Sequence, residues 1–248
     1  MGILQKIVAN TRASLAHKKV ELPLEKIQSS LENLKLPRGK FKDHISSKDE
    51  AIIAEIKKAS PSAGVIKEDF DPTKIAMEYE SFGASALSIL TEEDFFMGSV
   101  EYLKEVKKIT SLPILRKDFM IDEYQIYESK LIGADCILLI ASILTDQEID
   151  NFINIAKKLE LDYLIEVHDE NELKRVEHFE DALIGVNNRN LETFEVDLNN
   201  SVRLRNTFKQ KNIFIAESGI KSREDMNYLK MNNIKVFLIG ESLMRGSF

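Results

Sequence analysis

The chain has 248 residues, 44% of them hydrophobic and 30% charged, with a formal net charge of −7 at pH 7. That is enough apolar material for one sizeable α/β core, and the acidic balance excludes the broad basic field that draws a nucleic-acid backbone. The lone cysteine, Cys136, excludes an internal disulfide framework and fits a reducing compartment.

Residues 1–20 form an amphipathic, lysine-bearing stretch without an apolar signal core, and no apolar run approaches the ~20 residues needed to cross a bilayer. The expectation is a cytoplasmic protein with no membrane partner. Helical spacing is read over about 2–17 and 24–34, and from residue 51 short β-like runs alternate with helical patterns to the end. The runs are 51–56, 86–90, 113–115, 136–140, 163–167, 183–186, 213–216 and 236–239. Between them apolar residues recur three and four apart, most clearly at Ile75/Tyr79/Phe82, Val100/Leu103/Val106/Ile109 and Ile149/Phe152/Ile153/Ala156, as crossover helices require. Several runs are continuously apolar, the mark of a parallel sheet covered on both faces, and the one holding Cys136 assigns that thiol to the core. Eight βα units without a linker predict an α/β fold, a (β/α)8 TIM barrel over 51–248 with an N-terminal helical extension over 1–50. Two open α/β domains are the alternative, but no boundary is visible near 132–146.

In such a barrel the chemistry sits where the strands end, and there the polar residues gather. Strand one ends Glu55-Ile-Lys57, two apart and therefore on one face. Strand three runs into Arg116-Lys117-Asp118-Phe119, strand five ends in Glu166, strand six reaches Asn187 and Arg189, and strand seven ends Glu217-Ser218-Gly219. Any one of these charges is more often a solvated loop residue or an interior ion pair; together, from five strands, they predict a site. Glu166, flanked by apolar residues, is expected to have a raised pKa unless Lys57 or Lys117 lies beside it. Ser218-Gly219 and Gly240-Glu241-Ser242 follow strands seven and eight, the usual place of a barrel phosphate site, and Ser60-Pro-Ser62 can add hydroxyls from across the mouth. There is no Walker loop, no G-x-G-x-x-G and no His/Cys cluster with metal spacing, so neither metal nor cofactor is expected. Of His17, His44, His168 and His178 only His168 lies near a strand end, and it reads as a structural loop residue.

Seven ordered motifs carry a resemblance over nearly the whole length: Ile53-Ala-Glu-Ile-Lys-Lys-Ala-Ser-Pro-Ser-Ala-Gly64, Leu87-Ser-Ile-Leu-Thr-Glu92, Pro113-Ile-Leu-Arg-Lys-Asp-Phe119, Leu164-Ile-Glu-Val-His168, Ile184-Gly-Val-Asn-Asn-Arg-Asn-Leu191, Ala216-Glu-Ser-Gly-Ile220 and Leu238-Ile-Gly-Glu-Ser-Leu-Met244. With them the chain resembles the indole-3-glycerol-phosphate synthase family of the tryptophan pathway. The resemblance implies a small phosphorylated substrate, 1-(2-carboxyphenylamino)-1-deoxyribulose 5-phosphate, that is ring-closed, decarboxylated and dehydrated. It implies Lys117 as the general acid at the ketone, and Lys57 as the partner of the substrate carboxylate. Glu166 and Glu55 become proton-shuttling carboxylates, and Asn187 orients a hydroxyl. Ser60, Ser62, Ser218, Gly219, Gly240 and Glu241 would hold the phosphate, Glu241 through its backbone N–H. Phe119, Leu138, Leu191 and Phe95 or Phe96 would face the aromatic ring. Arg189 and Glu217 would orient the carboxylates and lysines, and the N-terminal helices would lie over the mouth. A lysine held near a second lysine in a partly desolvated mouth is expected to have a lowered pKa, which suits an acid catalyst.

The chain ends at Phe248, soon after strand eight, where a full outer helix is expected; the outward faces of strands one and eight should be thinly covered. A monomer is expected. Two other functions stay open: a phosphoribosylanthranilate isomerase, disfavoured because Cys136 begins its strand away from the mouth, and a barrel that binds a phosphorylated metabolite without turning it over.

Overall fold

Strands form in all eight of the apolar runs: β1 (Ala51–Ile56), β2 (Ala86–Leu90), β3 (Ile114–Lys117), β4 (Cys136–Ile140), β5 (Asp162–Val167), β6 (Leu183–Asn187), β7 (Phe214–Glu217) and β8 (Val236–Ile239). Each pairs in parallel with its sequence neighbours, and β8 returns to β1 through Ala51↔Val236, so the sheet closes into a barrel with no free edge. The structure, a computed structural model, describes residues 2–34 and 37–248; Met1, Lys35 and Leu36, within the expected extension, lie outside them. Among the described residues no helix is long and apolar enough to cross a membrane.

β3, β6 and β7 run further toward the mouth than the apolar runs suggested. Their polar tips still belong to the ladder, in the pairs Leu90↔Lys117, Asn187↔Glu217 and Leu238↔Glu217. The charge that made these residues look like loop points into the cavity instead of ending the strand.

The extension contains α1 (Ile3–Glu21), α2 (Leu24–Asn33) and α3 (Phe41–Ser46). α3, which no periodicity revealed because it has six residues, inserts the fully buried Phe41 and Ile45 among the inward residues of the strands. The outer ring is α4 (Pro72–Phe82), α5 (Val100–Ile109), α6 (Glu123–Leu131), α7 (Asp146–Lys158), α8 (Glu170–Val176), α9 (Asn199–Thr207), α10 (Arg223–Met231) and the four-residue α11 (Glu241–Met244). Six of them start on an Asp, Ser or Thr whose side chain accepts backbone N–H groups of the first turn, as at Thr145 and Ser222.

Two cores result from the twofold alternation along each strand. Outward residues such as Ile137, Ile165 and Phe237 pack under the helices; inward ones such as Ile53, Leu115, Leu164 and Ile215 fill the barrel, with Cys136 fully buried among them. The outward residues of β1 and β8, where thin cover was expected, are buried: Ala54, Ile56, Phe237 and Ile239 are at most 2% exposed. Phe248 sits edge-on to Phe82 with ring centroids 6.3 Å apart.

Candidate active site

Following the inward face of each strand upward, the apolar floor gives way to charge two residues later: Ile53 to Glu55, Leu115 to Lys117, Leu164 to Glu166, Ile215 to Glu217, while β6 passes from Leu183 through Gly185 to Asn187. These tips and the loops beyond them line one cavity of about 490 Å³. The cavity collects every site residue expected from sequence: Lys57, Lys117, Glu55, Glu166 and Asn187; Ser60 and Ser62; Phe119, Leu138 and Leu191; Arg189 and Glu217; Ser218, Gly219, Gly240 and Glu241. Ile3, Leu4 and Ile7 of α1 also line it, so the extension forms part of its wall. Of the two candidate phenylalanines, Phe96 lines the cavity and its ring lies 5.9 Å from that of Phe119. Glu92 holds the Phe96 segment by accepting the N–H groups of Phe95 and Phe96 at 2.8 and 2.9 Å.

The lysines are clasped by carboxylates. Lys57 Nζ donates to Glu55 Oε1 at 2.5 Å; Lys117 Nζ donates to Glu166 Oε2 at 2.6 Å and to Glu217 Oε2 at 2.8 Å. This corrects the expected lowering of a lysine pKa. Burial does work to strip Lys117 of its proton, but the charges of Glu166, Glu217 and Glu55 outweigh it, and the ammonium is held well above its ordinary value. Burial also favours the neutral form of Glu166, yet Lys117 and His168 keep its carboxylate below the usual range. Glu217 goes the other way: burial, reinforced by the charge of Glu166, raises its proton affinity in spite of Lys117. The second oxygen of Glu166 accepts from Asn187 Nδ2 at 3.0 Å, while Glu217 Oε1 has no hydrogen-bond partner and lies over Gly185.

Another part of the wall is made by turns after β7 and β8. Ser218 and Gly219, consecutive residues with left-handed φ of 66° and 82°, line the cavity there. Asn188 secures this turn by donating to Ser218 O at 3.3 Å, and Val196 leaves no room for a side chain at Gly219. Gly240 is pressed against the Glu55–Lys57 pair and begins α11. The Glu241 carboxylate is held by Arg245 at 3.0 Å and lies 3.8 Å from Arg189. Ser60 and Ser62 sit on the short antiparallel hairpin of Ala59–Ser60 with Gly64–Val65, their hydroxyl oxygens 3.4 Å apart.

Three expectations need revision. Arg189 touches neither lysine nor a barrel carboxylate; it donates to Phe194 O at 3.3 Å and faces Glu241. Arg116, counted with the rim, points outward beneath α6 because it alternates with Lys117. His168 is more than a structural loop residue: its Nε2 lies 3.5 Å from Glu166 Oε1 and its Nδ1 3.2 Å from Glu172. A histidine two residues beyond an inward carboxylate, just past the end of its strand, was the signal available in the sequence. Lys221 and Arg245 add cations to the cavity wall that the motifs did not single out. Among the described residues no group of three or more His, Cys, Asp or Glu is disposed to hold a metal ion.

Among solved structures the fold resembles an N-acetylmannosamine-6-phosphate 2-epimerase from Clostridium perfringens, with a TM-score of 0.60 at 14% identity over 82% of this chain and 92% of that one. It also resembles a monomeric form of the dimeric phosphoribosylanthranilate isomerase from Thermotoga maritima, with a TM-score of 0.55 at 10% identity over 78% and 88%. These likenesses concern the barrel alone. Sequence relatives are far nearer. Proteins named indole-3-glycerol phosphate synthase from Lachnoclostridium phytofermentans and Ruminiclostridium cellulolyticum are 45% and 47% identical, covering 99% and 98% of this chain and 95% and 94% of their own. One from Acetivibrio thermocellus is 53% identical over 79% of this chain and 76% of its own. The sequence profile of that family matches residues 4–247, and the chain belongs to the indole-3-glycerol phosphate synthase family.

Proposed function

We propose that this chain converts 1-(2-carboxyphenylamino)-1-deoxyribulose 5-phosphate to indole-3-glycerol phosphate, carbon dioxide and water, as a carboxy-lyase of tryptophan biosynthesis. The observation that carries the reading is Lys117, clasped by two buried carboxylates in a cavity that Ser218, Gly219, Gly240 and Glu241 also line. Lys117 is the general acid at the ketone. Its proton is held tightly in the empty site, but oxygen that becomes alkoxide-like as the aromatic carbon attacks is a stronger base than an amine, so transfer is favoured as charge develops. Lys57 pairs with the substrate carboxylate, its flexible ammonium holding the group and releasing it as carbon dioxide. Glu166 takes the proton from the methylene carbon beside the nitrogen, Glu55 serves the departing hydroxyl through Lys57, and Asn187 and Glu217 hold these groups in line. The phosphate occupies the corner of Ser60, Ser62, Ser218, Gly219, Gly240 and Glu241, and the aromatic ring lies against Phe119, Leu138 and Leu191. A lone, fully buried cysteine supports a cytoplasmic enzyme, and exposed apolar residues scattered over separate elements, such as Val20, Met77 and Met231, support a monomer.

Adding the substrate and following indole absorbance tests the reading; turnover is expected, unaltered by a metal chelator, and inorganic phosphate should raise KM without lowering kcat. A purified, folded chain that produces no indole would sink it. The role of Glu217 has its own probe in Gly185→Ala, whose methyl group would strike the Glu217 carboxylate and come within 2.6 Å of Leu164. Displacing Glu217 from Lys117 is expected to lower kcat by at least about tenfold with little change in KM; an unaltered kcat would remove Glu217 from the mechanism.

A further inference from the structure

His168 is a part-buried titratable group that the reaction as assigned does not use. It follows β5 directly, and its side chain is 18% exposed. Glu172, on the first turn of α8, accepts the His168 backbone N–H at 2.8 Å and lies 3.2 Å from Nδ1. A carboxylate only accepts, so this contact places a proton on Nδ1 and leaves Nε2 as the nitrogen that gains or loses one. Nε2 makes no hydrogen bond and faces Glu166 Oε1 at 3.5 Å. Every charged neighbour is an acid or leads to one. Glu166 and Glu172 flank the ring, Glu217 of β7 lies beyond, and Lys117 of β3 stands behind Glu166; Asn200 of α9 reaches only the His168 carbonyl.

The chemistry leaves a role for such a group. The substrate carboxylate departs as neutral carbon dioxide, and the ketone oxygen departs as water after gaining two protons, while the methylene carbon returns one. Each turnover therefore takes one proton from solvent, and the cavity must be recharged with it.

We propose that His168 is a positioning residue and one-proton reservoir for Glu166, delivering that proton from Nε2 and recovering it from solvent. The inference rests on the function proposed above. The N–H bond at Nε2 breaks with its electron pair staying on the ring, an O–H bond forms on Glu166, and after the carboxyl rotates the proton passes to the neutral Lys117 amine 2.6 Å away. The carboxylates of Glu172, Glu166 and Glu217 overcome burial and raise the proton affinity of the imidazole.

The test is the pH dependence of kcat for the wild type, His168→Gln and Glu172→Gln. In the wild type kcat falls as pH rises through the titration of His168. His168→Gln loses that limb and at least about tenfold in kcat, with KM within about twofold, and small acidic buffers such as imidazolium restore its turnover in proportion to their concentration while leaving the wild type unmoved. Glu172→Gln keeps the ring and can still accept the backbone N–H, but shifts the limb to lower pH; it carries the test where His168→Gln fails to fold. A His168→Gln profile that overlays the wild type, a loss indifferent to buffer, or an unmoved limb in Glu172→Gln overturns the proposal. An inactive wild type overturns the function itself, so the two failures are distinct.

Discussion

Lys117→Ala is expected to lower kcat by on the order of a thousandfold or more while KM changes only a few-fold, because the interaction removed is made with charge that develops in the transition state. The same variant should show a second effect in folding. Glu166 and Glu217 are 3% and 2% exposed and would face each other with their shared cation gone. Leaving buried charge uncompensated costs about 3–5 kcal/mol. Already in the wild type burial raises the proton affinity of Glu217; without Lys117 the pair takes up a proton more readily still. A carboxyl whose folded-state pKa is raised supports the fold below its unfolded pKa and loses that support as pH rises through the folded value. The deficit of Lys117→Ala should therefore be small near pH 5 and full by pH 8, in urea melts at the two pH values. Near-normal turnover would place the acid elsewhere, and equal deficits at both pH values would show that the ammonium does not compensate these carboxylates.

Arg116→Met is expected to be the most destabilising single change to the barrel wall. Arg116 is 1% exposed, and its guanidinium donates to Thr91 Oγ1 at 3.0 Å, Gln125 O at 3.3 Å, Ser129 Oγ at 3.2 Å and Asp118 Oδ2 at 3.1 Å, with Glu128 at 2.7 Å. Four hydrogen bonds and the Glu128 ion pair converge on the guanidinium, a match that one ammonium cannot reproduce, so Arg116→Lys should rescue little. Methionine fills much of the volume but strands Asp118 and Glu128, at about 3–5 kcal/mol. For a chain of this size that lowers Tm by roughly 10 °C, which thermal melting would reveal. The site would feel it too, since Asp118 Oδ1 accepts the Phe119 N–H at 2.8 Å and so sets the loop that follows Lys117. A melting temperature within about 2 °C of the wild type would mean that the network is dispensable.

The strands and the cavity were legible because both depend on the same period of two. Short, mostly apolar runs marked β1, β2, β4 and β8 to the residue, and charge at alternate positions marked the ends that face inward. Partnership was not legible. Lys57 and Lys117 stood out as the candidate cations beside Glu166, but which groups touch Lys117 depends on how β3, β5 and β7 converge across the barrel. That geometry reversed the expected direction of its pKa shift. His168 and Arg116 were misjudged for the same reason: one lies beside Glu166 only through the curl of the chain into α8, and the other faces away from the mouth by alternation. α3 was too short for any pattern to emerge, and its role in closing the barrel follows from tertiary packing alone.

Arg116 and Lys117 are neighbours on one strand, the first anchoring the outer wall and the second facing the substrate cavity. A slip of β3 by a single position would exchange them, burying a mobile amine among acceptors arranged for a guanidinium and thrusting a rigid guanidinium into the cavity. The contents of the cavity and the alignment of the strand are thus one property of this chain, and a loosened barrel that kept its helices would lose the placement of Lys117 before losing its shape.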